Sequence, residues 1–214
     1  MRVIVDTDAV QVHLLEATRG SYAYLIDGGG RTVLCDTGFP GRAQALLSEL
    51  EDAVRRLSDI VITHYDVDHV GSLKALEERI PARIWLPADD APYILRERPR
   101  PGLKRLIAAV TKAPPPAHWA PLRDGDHIGL LTAVRSPGHT PGHLAYRGPG
   151  FLLVGDALVT HHGRAGPSPA VLAWNLELMR ETATRLLSGY SGWILPAHGE
   201  PVQVGGTAEA AAKP

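Results

Sequence analysis

The stretch Thr63-His64-Tyr65-Asp66-Val67-Asp68-His69-Val70-Gly71 places two histidines and two aspartates within six residues. The donors begin at His64, directly after Asp59 to Thr63, a short apolar run that is typical of a buried strand. Imidazoles and carboxylates crowded this closely would compete for protons, unless a cation neutralises the carboxylates and binds the imidazole lone pairs. The alternative is a polar surface turn. If the loop is extended, residues 64, 66 and 68 face one way and His69 turns aside, so one loop could supply two ions.

Three more donor side chains stand in similar contexts farther along the chain. Each follows an expected strand and lies among glycines and prolines, and the three are His139, Asp156 and His198. Loops at strand ends can aim side chains into a common cleft with a rigid sheet behind them. A single loop histidine would be an ordinary polar residue, but seven donors together suit two ions that share a bridging carboxylate and leave positions for water.

Length and composition limit the classes of protein to which the chain can belong. The chain has 214 residues, of which 44% are apolar, enough for one globular domain over residues 1–206 with a disordered tail at 207–214. Twenty-two Lys and Arg against 23 Asp and Glu argue against general nucleic-acid binding. The one cysteine excludes an intrachain disulfide framework. Short apolar runs and the absence of a secretion-signal pattern predict a cytoplasmic protein that does not enter membranes; nothing indicates a particular oligomeric state.

The hydrophobic pattern predicts two halves, each with strands followed by a helix. The expected strands are Gln11–Leu15, Ser21–Asp27, Arg31–Cys35, Asp59–Thr63, Arg83–Leu86, Thr132–Arg135, Leu144–Arg147, Phe151–Val154 and Trp193–Leu195. Helical spacing covers residues 46–57, 70–80 and 172–186, and Gly28-Gly29-Gly30 predicts a hairpin turn rather than a phosphate loop. Residues 87–121, with an amphipathic piece at Leu103–Val110, are expected to form a surface excursion.

Five sequence blocks resemble the metallo-β-lactamase-fold hydrolases, in that superfamily's usual order and over nearly the whole chain. The blocks are Cys35-Asp36-Thr37-Gly38, Thr63 to Gly71, Pro137-Gly-His139-Thr-Pro-Gly-His143, Gly155-Asp156 and Pro196-Ala-His198-Gly199. Any one block alone is a weak signal, whereas the five together are specific. The resemblance implies an α+β protein with an αββα four-layer sandwich and a binuclear metal site at one edge.

The resemblance also implies a role for each donor. His64, Asp66 and His139 would hold one metal, Asp68, His69 and His198 would hold the second, and Asp156 would bridge the two. Asp36 and His143 would fix the orientation of the ligands. The implied chemistry is attack by a metal-activated hydroxide on a carbonyl, with Asp68 orienting the water or accepting its proton.

Asp66 departs from the commonest pattern of the superfamily, which has histidine there, although some branches, including di-iron flavoproteins, carry a carboxylate. Three aspartate ligands leave two divalent ions with a net charge of +1, where the usual pattern leaves +2. Such a cluster should make bound water less acidic and favour harder ions. Zinc is the first choice for the two divalent ions, with iron or manganese as alternatives. Asp66→His is expected to keep the fold and raise the preference for zinc.

The expected function is hydrolysis of an ester, thioester or lactone in a small-molecule substrate. Glutathione thioesters are not the first expectation, because only 16 residues follow His198, where hydroxyacylglutathione hydrolases have a further helical region. β-Lactams are not expected without a secretion signal. The main alternative is an iron-dependent oxidoreductase acting on sulfur compounds or dioxygen; nucleic-acid processing and metal binding without turnover rank lower.

Other candidate residues lie outside these blocks. Six cations occur within 17 residues, and they form either a basic rim that attracts anionic substrates or a solvated helix face; they are Arg96, Arg98, Arg100, Lys104, Arg105 and Lys112. His161 and His162 are expected at the mouth of the site or in solvent, and Cys35 as a buried apolar residue.

Overall fold

The computed structural model describes residues 1–102, 104, 105, 111 and 113–205. Most of the amphipathic piece expected at Leu103–Val110, together with Lys112 and the tail at 207–214, lies outside the described residues.

The first sheet contains seven strands in sequential order, which are β1 (Arg2–Asp6), β2 (Val10–Leu15), β3 (Ala23–Gly28), β4 (Arg31–Cys35), β5 (Leu57–Val61), β6 (Arg83–Pro87) and β7 (Ala120–Leu122). Strands β1 to β4 pair antiparallel, and β4 to β7 pair parallel. The triglycine turn joins β3 to β4 with Gly28 opposite Arg31, so the predicted hairpin is confirmed.

The second sheet contains six strands, which are β8 (His127–Ile128), β9 (Leu131–Arg135), β10 (Leu144–Gly148), β11 (Phe151–Gly155), β14 (Gly192–Pro196) and β15 (Val202–Val204). Its spatial order is β15-β14-β11-β10-β9-β8, and β11 pairs parallel with β14. A small hairpin of β12 (Leu158–His161) and β13 (Arg164–Pro167) forms a separate two-stranded sheet, and Leu158 packs in the core beneath the second sheet.

The helices that the structure describes are α1 (Ala43–Leu50), α2 (Val67–Val70), α3 (Leu73–Glu77), α4 (Ala91–Ile94) and α5 (Leu176–Leu187), with 3-10 turns at Glu51–Arg56 and Ala170–Leu172. Within the described residues, no helix combines the length and the apolar character that crossing a bilayer requires.

Three apolar cores separate four layers. Alternate side chains of each strand point to opposite faces of its sheet, so Leu25 packs under the helices of the first half while Ile26 faces the second sheet. In the second sheet, Tyr146 faces the first sheet and Ala145 packs with Leu186 of α5. The order is helices, sheet, sheet, helix, so the predicted αββα four-layer sandwich is confirmed.

Two predicted helices are shorter in the structure than the apolar spacing indicates. Leu57 is expected on a helix face, but it begins strand β5, because α1 ends at Leu50 and Glu51 takes a left-handed φ of 48°. Leu172 likewise lies in a 3-10 turn, and α5 begins only at Leu176. Apolar spacing that continues across a helix end marks burial against the same core and does not require a continuous helix.

The described parts of the segment 87–121 include residues that are packed more deeply than the expected surface excursion. Ala91, Ile94 and Ala113 are buried in the core between the first sheet and its helices. The segment also ends in strand β7, which extends the first sheet. Part of it therefore contributes to the core and places residues near the donor cluster described next.

Candidate metal centre

The first group of donors follows strand β5. His64 and Asp66 lie between β5 and α2, and Asp68 and His69 lie on α2 itself. The extended loop considered for the sequence is therefore only partly present, because helix begins at Val67. Successive helical side chains point about 100° apart, against about 180° in an extended chain. Asp68 Oδ2 therefore comes within 3.7 Å of His69 Nε2.

The remaining donors follow strands of the second sheet. His139 lies between β9 and β10, Asp156 follows β11, and His198 follows β14. Because β11 and β14 are parallel and Gly155 is opposite Pro196, Asp156 and His198 emerge at the same edge. Cys35 and Val61 are likewise opposite each other at the ends of β4 and β5. The sandwich thus brings the strand ends of both sheets to one edge.

One donor set combines His64, Asp66, His139 and Asp156. Asp66 Oδ2 lies 3.3 Å from His64 Nε2 and 3.0 Å from His139 Nε2. Asp156 Oδ2 lies 3.4 Å from His139 Nε2. All of the ligand atoms in this set lie within 4.8 Å of one another.

A second donor set combines Asp68, His69 and His198. Asp68 Oδ2 lies 3.2 Å from His198 Nε2 and 3.7 Å from His69 Nε2. The other oxygen of Asp156, Oδ1, lies 3.5 Å from His69 Nε2 and 3.4 Å from His198 Nε2. Asp156 therefore presents one oxygen to each set, which is the arrangement of a bridging carboxylate.

The donor atoms fit a divalent ion in two respects. Among the described residues, His64 Nε2, His69 Nε2 and Asp156 Oδ1 are buried without a hydrogen-bond partner, a costly state for polar atoms unless a ligand binds them. Ligands about 2.0 to 2.1 Å from a tetrahedral ion lie roughly 3.3 to 3.4 Å apart. The separations of 3.0 to 3.7 Å in the two sets bracket that spacing.

The carboxylates of the site also favour bound cations. Burial lowers the pKa of His198, but its contacts with Asp156 and Asp68 outweigh this and raise the pKa to about 10. Burial and the neighbouring His69 hold the pKa of His64 well below its usual range. Burial opposes a rise in the pKa of His69, yet three carboxylates raise it well above its usual range, and Asp36 acts most strongly. Metal ions would take the place of the protons that the carboxylates hold on His198 and His69.

Asp36 connects the edge of the first sheet to His69. Its Oδ2 lies 2.8 Å from His69 Nδ1 and accepts from Thr63 Oγ1 at 2.8 Å, while Oδ1 accepts from the Thr63 backbone N–H at 2.8 Å. A proton on Nδ1 leaves the lone pair of His69 Nε2 directed into the second set. Asp36 adopts a left-handed φ of 64°, an uncommon backbone conformation for a residue other than glycine.

His143 acts on Asp156 through the backbone. His143 Nε2 accepts from the Asp156 N–H at 3.1 Å, and its Nδ1 lies 2.8 Å from Ser136 Oγ. Since an amide N–H only donates, Nε2 is unprotonated, and burial lowers the pKa of His143 well below its usual range. A Cβ at Gly155 would lie 2.8 Å from His143 Nε2, so a glycine is required at this contact.

Asp90 is a site residue that the motif blocks do not include. Its buried carboxylate accepts from Thr140 Oγ1 at 2.6 Å, Gly142 N–H at 2.7 Å and Tyr65 N–H at 3.2 Å. It therefore joins the donor loop of the first sheet to the His139 loop. Asp90 comes shortly after strand β6, and the strand-end argument used for the other site residues could have identified it.

Lys104 is a second such residue, since the sequence shows it only as one cation of the basic run. It is 6% exposed, and its Nζ lies 2.6 Å from Asp66 Oδ2 and 3.2 Å from the His139 carbonyl oxygen. No feature of the sequence distinguishes it from its exposed neighbour Arg105. Of the other cations in the run, Arg96 and Arg98 are exposed, and Arg100 lines the cavity above the donors.

The structure also places two minor groups of candidate residues. His161 and His162 are exposed at the turn between β12 and β13, with ring centroids 4.0 Å apart, and neither belongs to a donor set. Cys35 is buried in the core between the sheets, and burial raises the pKa of its thiol well above the usual range.

A four-layer αββα sandwich with two facing donor sets at the common edge of its sheets defines the metallo-β-lactamase-fold class. The model of the metallo-beta-lactamase superfamily matches residues 17–198. The chain belongs to that superfamily.

Two relatives illustrate the sequence similarity. A hydroxyacylglutathione hydrolase of Dechloromonas aromatica is 31% identical over 153 residues, which cover 70% of this chain and 48% of the relative. The uncharacterized protein YobT of Bacillus subtilis is 28% identical over 195 residues, covering 83% and 82% of the two chains. The chain thus spans about half the length of the hydroxyacylglutathione hydrolase and most of YobT.

Solved structures show the same fold. TTHA1623, crystallised in a di-iron-bound form, superposes with a TM-score of 0.68 at 22% identity and covers 95% of this chain and 94% of its own. The archaeal superfamily protein ST1585 from Sulfolobus tokodaii superposes with a TM-score of 0.71 at 19% identity, covering 90% and 81% of the two chains. At these identities the likeness establishes the fold alone.

Proposed function

We propose that this protein is a metal-dependent hydrolase that cleaves an ester, thioester or lactone in a small-molecule substrate. The observation that carries the proposal is the position of Asp156, whose two oxygens face two separate donor sets. Bridged ion pairs of this kind are typical of hydrolytic sites. Superfamily membership and the hydrolase names among its relatives support the same class of reaction.

The seven donors would hold two divalent ions, and zinc is the ion to test first, with iron and manganese next. His64, Asp66 and His139 would hold one, Asp68, His69 and His198 would hold the other, and Asp156 would bridge them. When bound, such ions supply Lewis acidity, which acidifies water and polarises a carbonyl oxygen. Asp36 keeps His69 oriented toward its set, and His143 keeps the Asp156 backbone in place.

Asp68 is the residue that would orient water and accept a proton. It lines the cavity above the donors, and its side chain is 16% exposed, whereas that of Asp156 is 5% exposed. A general base must lie within hydrogen-bond reach of the attacking water, and the more exposed carboxylate can also pass its proton on to solvent. Phe39, Val67 and Leu172 form an apolar part of the same cavity and would exclude bulk water around the scissile bond.

Thioesters are the first substrates to test, because several hydroxyacylglutathione hydrolases are about 30% identical to this chain. The chain spans about half of their length, so the acyl and thiol groups have to be determined by experiment.

The test combines metal analysis with a substrate panel. Purified protein is analysed for bound ions, reloaded with its native ion, and assayed on thioesters, esters and lactones. We expect about two ions per chain, hydrolysis that is abolished by a chelator, and a loss of about 100-fold or more in Asp156→Asn. His127→Gln, which changes an exposed histidine outside both sets, is the control. Turnover that persists after complete metal removal, or a fully loaded enzyme inactive on every substrate, would contradict the proposal.

An iron-dependent oxidoreductase is the second candidate. The favouring observation is Asp66, which adds a carboxylate oxygen to the first set and so makes it better suited to a harder ion. Iron-dependent oxygen uptake with a persulfide substrate, together with absent hydrolysis across the panel, would support this candidate instead.

A further inference from the structure

A cavity of about 300 Å³ opens above the donor sets and combines three kinds of wall. Its lining residues are the donors Asp66, Asp68, Asp156 and His198, the apolar Phe39, Val67 and Leu172, and the cations Arg100 and Lys104. A substrate bound at the donors would therefore contact two cationic side chains. The two cations are not equivalent.

Lys104 is already paired. Its ammonium contacts Asp66 Oδ2 at 2.6 Å and the His139 carbonyl at 3.2 Å, and the residue is 6% exposed. Two contacts inside the protein leave it little capacity to recognise a substrate. Its effect is to neutralise Asp66.

Arg100 makes no such pair. In the part of the chain that the structure describes, its guanidinium forms no hydrogen bond or ion pair, and it lies 5.5 Å from the centroid of the Tyr65 ring. The residue is half-buried, and burial lowers its pKa. The charge of Asp66 acts on the guanidinium from across the cavity, but no carboxylate accepts its N–H donors, and these free donors are what an anionic ligand would bind.

We propose that Arg100 binds an anionic group of the substrate, a carboxylate or phosphate, while the scissile carbonyl lies at the donors. A guanidinium presents a planar fork of N–H donors that matches the oxygens of either anion. Phe39, which is 36% exposed, and Leu172 would contact an apolar spacer between the two groups. The proposal rests on the proposed hydrolase function and specifies its substrate class: acyl compounds with an apolar segment and an anion.

The kinetic test compares substrates that differ only in charge. The 4-nitrophenyl monoester of adipic acid carries a terminal carboxylate, the matching carboxamide is neutral, and a third ester carries a terminal phosphate. Arg100→Gln should lower kcat/KM for an anionic ester by about 10- to 100-fold and for the neutral ester by less than about twofold. The anion with the larger loss is the one that the site prefers. Arg98→Gln, at an exposed arginine that does not line the cavity, should change none of these values.

Equal losses for charged and neutral esters would overturn the proposal, because Arg100 would then act only through its packing against Tyr65.

A separate binding experiment distinguishes failure of the anion site from failure of the hydrolase function. Non-hydrolysable amides, the monoanilide of adipic acid and its terminal carboxamide, are titrated into the metal-loaded protein by calorimetry. Wild type should bind the anion at least about tenfold more tightly than the carboxamide, and Arg100→Gln should not. Charge-dependent binding without hydrolysis of any ester would refute the hydrolase and keep the anion site. Binding that is indifferent to charge would refute the anion site.

Discussion

Asp66 has more partners than a simple metal ligand, because one carboxylate oxygen faces two imidazoles and the Lys104 ammonium. Two divalent ions bound by three aspartate ligands would have a net charge of +1. With two divalent ions bound, the Lys104 charge beside Asp66 would bring the balance to +2, the value expected with histidine at this position. A buried cation compensates for the change of ligand, and the sequence could not indicate this compensation.

Asp66→His should therefore be more disruptive than the sequence alone suggests. It would leave the Lys104 ammonium almost fully buried without its carboxylate, so we expect the free energy of unfolding to fall by about 3 kcal/mol. Asp66→His/Lys104→Met removes both charges and should recover most of that loss. Urea denaturation of the chelated proteins measures the difference.

The double variant is also the proper test of metal preference, since it keeps the net charge of the site unchanged. In competition loading we expect it to take more zinc relative to iron and manganese than wild type does. A single variant that is as stable as the double one would show that Lys104 reaches solvent. Unchanged selectivity of the double variant would refute the ligand argument.

The burial of Asp90 should make the stability of the protein depend on pH. Burial raises the pKa of its carboxyl from 3.8 to about 7, despite the hydrogen bonds from Thr140 and Gly142. The folded state then keeps a proton that the unfolded state releases, so the stability contributed by this group is greatest below about pH 4 and falls as the pH rises to about 7. The rise of this pKa from 3.8 to about 7 corresponds to a loss on the order of 4 kcal/mol in the free energy of unfolding between those pH values.

Asp90→Asn cannot titrate, and the stability advantage of wild type over this variant should shrink between about pH 4.5 and about pH 8. The measurement is urea denaturation of chelated protein at several pH values, and using the difference cancels the titration of the histidines. Asp89→Asn changes a neighbouring carboxylate that makes no hydrogen bond among the described residues, and it is the control. A constant difference between wild type and Asp90→Asn would show that Asp90 stays ionised in the folded state.

At the scale of elements, the sequence located most strands and the helix pattern but misjudged where helices end. A short run with β-branched residues, bounded by turn residues, placed Arg31–Cys35 with the same bounds as in the structure, where both faces of that strand pack against separate cores. The break after Leu50 depends on a left-handed φ at Glu51, a residue whose identity does not favour it. Short edge strands such as β15 carry too few residues for a pattern to show.

Helix α5 holds the His139 loop at its N-terminus. Asn175 caps the helix by accepting from the Leu178 N–H at 3.0 Å, and its own N–H donates to the Gly138 carbonyl at 2.9 Å. A Cβ at Gly138 would lie 2.3 Å from Met179 Cα, so helix and loop are in direct contact.

Asn175→Ala should lower the free energy of unfolding by about 1 kcal/mol, because the Leu178 N–H loses its acceptor. Asn175→Asp keeps an acceptor at the same place and should stay within about 0.5 kcal/mol of wild type. Urea denaturation midpoints compare the three proteins. If Ala and Asp variants are equally stable, solvent replaces the cap, and the N-terminus of α5 is held by its packing on Gly138 alone.

At the scale of the whole molecule, the donor cluster joins the two sheets. Four donors follow β5 of the first sheet, and three follow β9, β11 and β14 of the second. The sequence predicted that these distant segments meet, because buried carboxylates and imidazoles concentrated after strands require a shared cation to neutralise them. It did not predict Lys104 and Asp90 at the site, since their contacts with Asp66, Thr140 and Gly142 are long-range in sequence and no local pattern encodes them.

Metal ions bound across the two sheets should stabilise the folded protein as a whole. An ion that binds only the folded state at about 100 times its Kd adds about 2.7 kcal/mol, which for a chain of this size raises Tm by roughly 5 to 10 °C. Removing the ions with a chelator should lower Tm by that amount in calorimetry, and restoring them should reverse the change. Asp156→Asn should lose most of the metal-dependent gain, because among the described donors Asp156 faces both sets, while His127→Gln should keep it. A Tm unaffected by chelation, in protein shown by analysis to have carried ions, would mean that the ions bind folded and unfolded chains alike and do not hold the two sheets together.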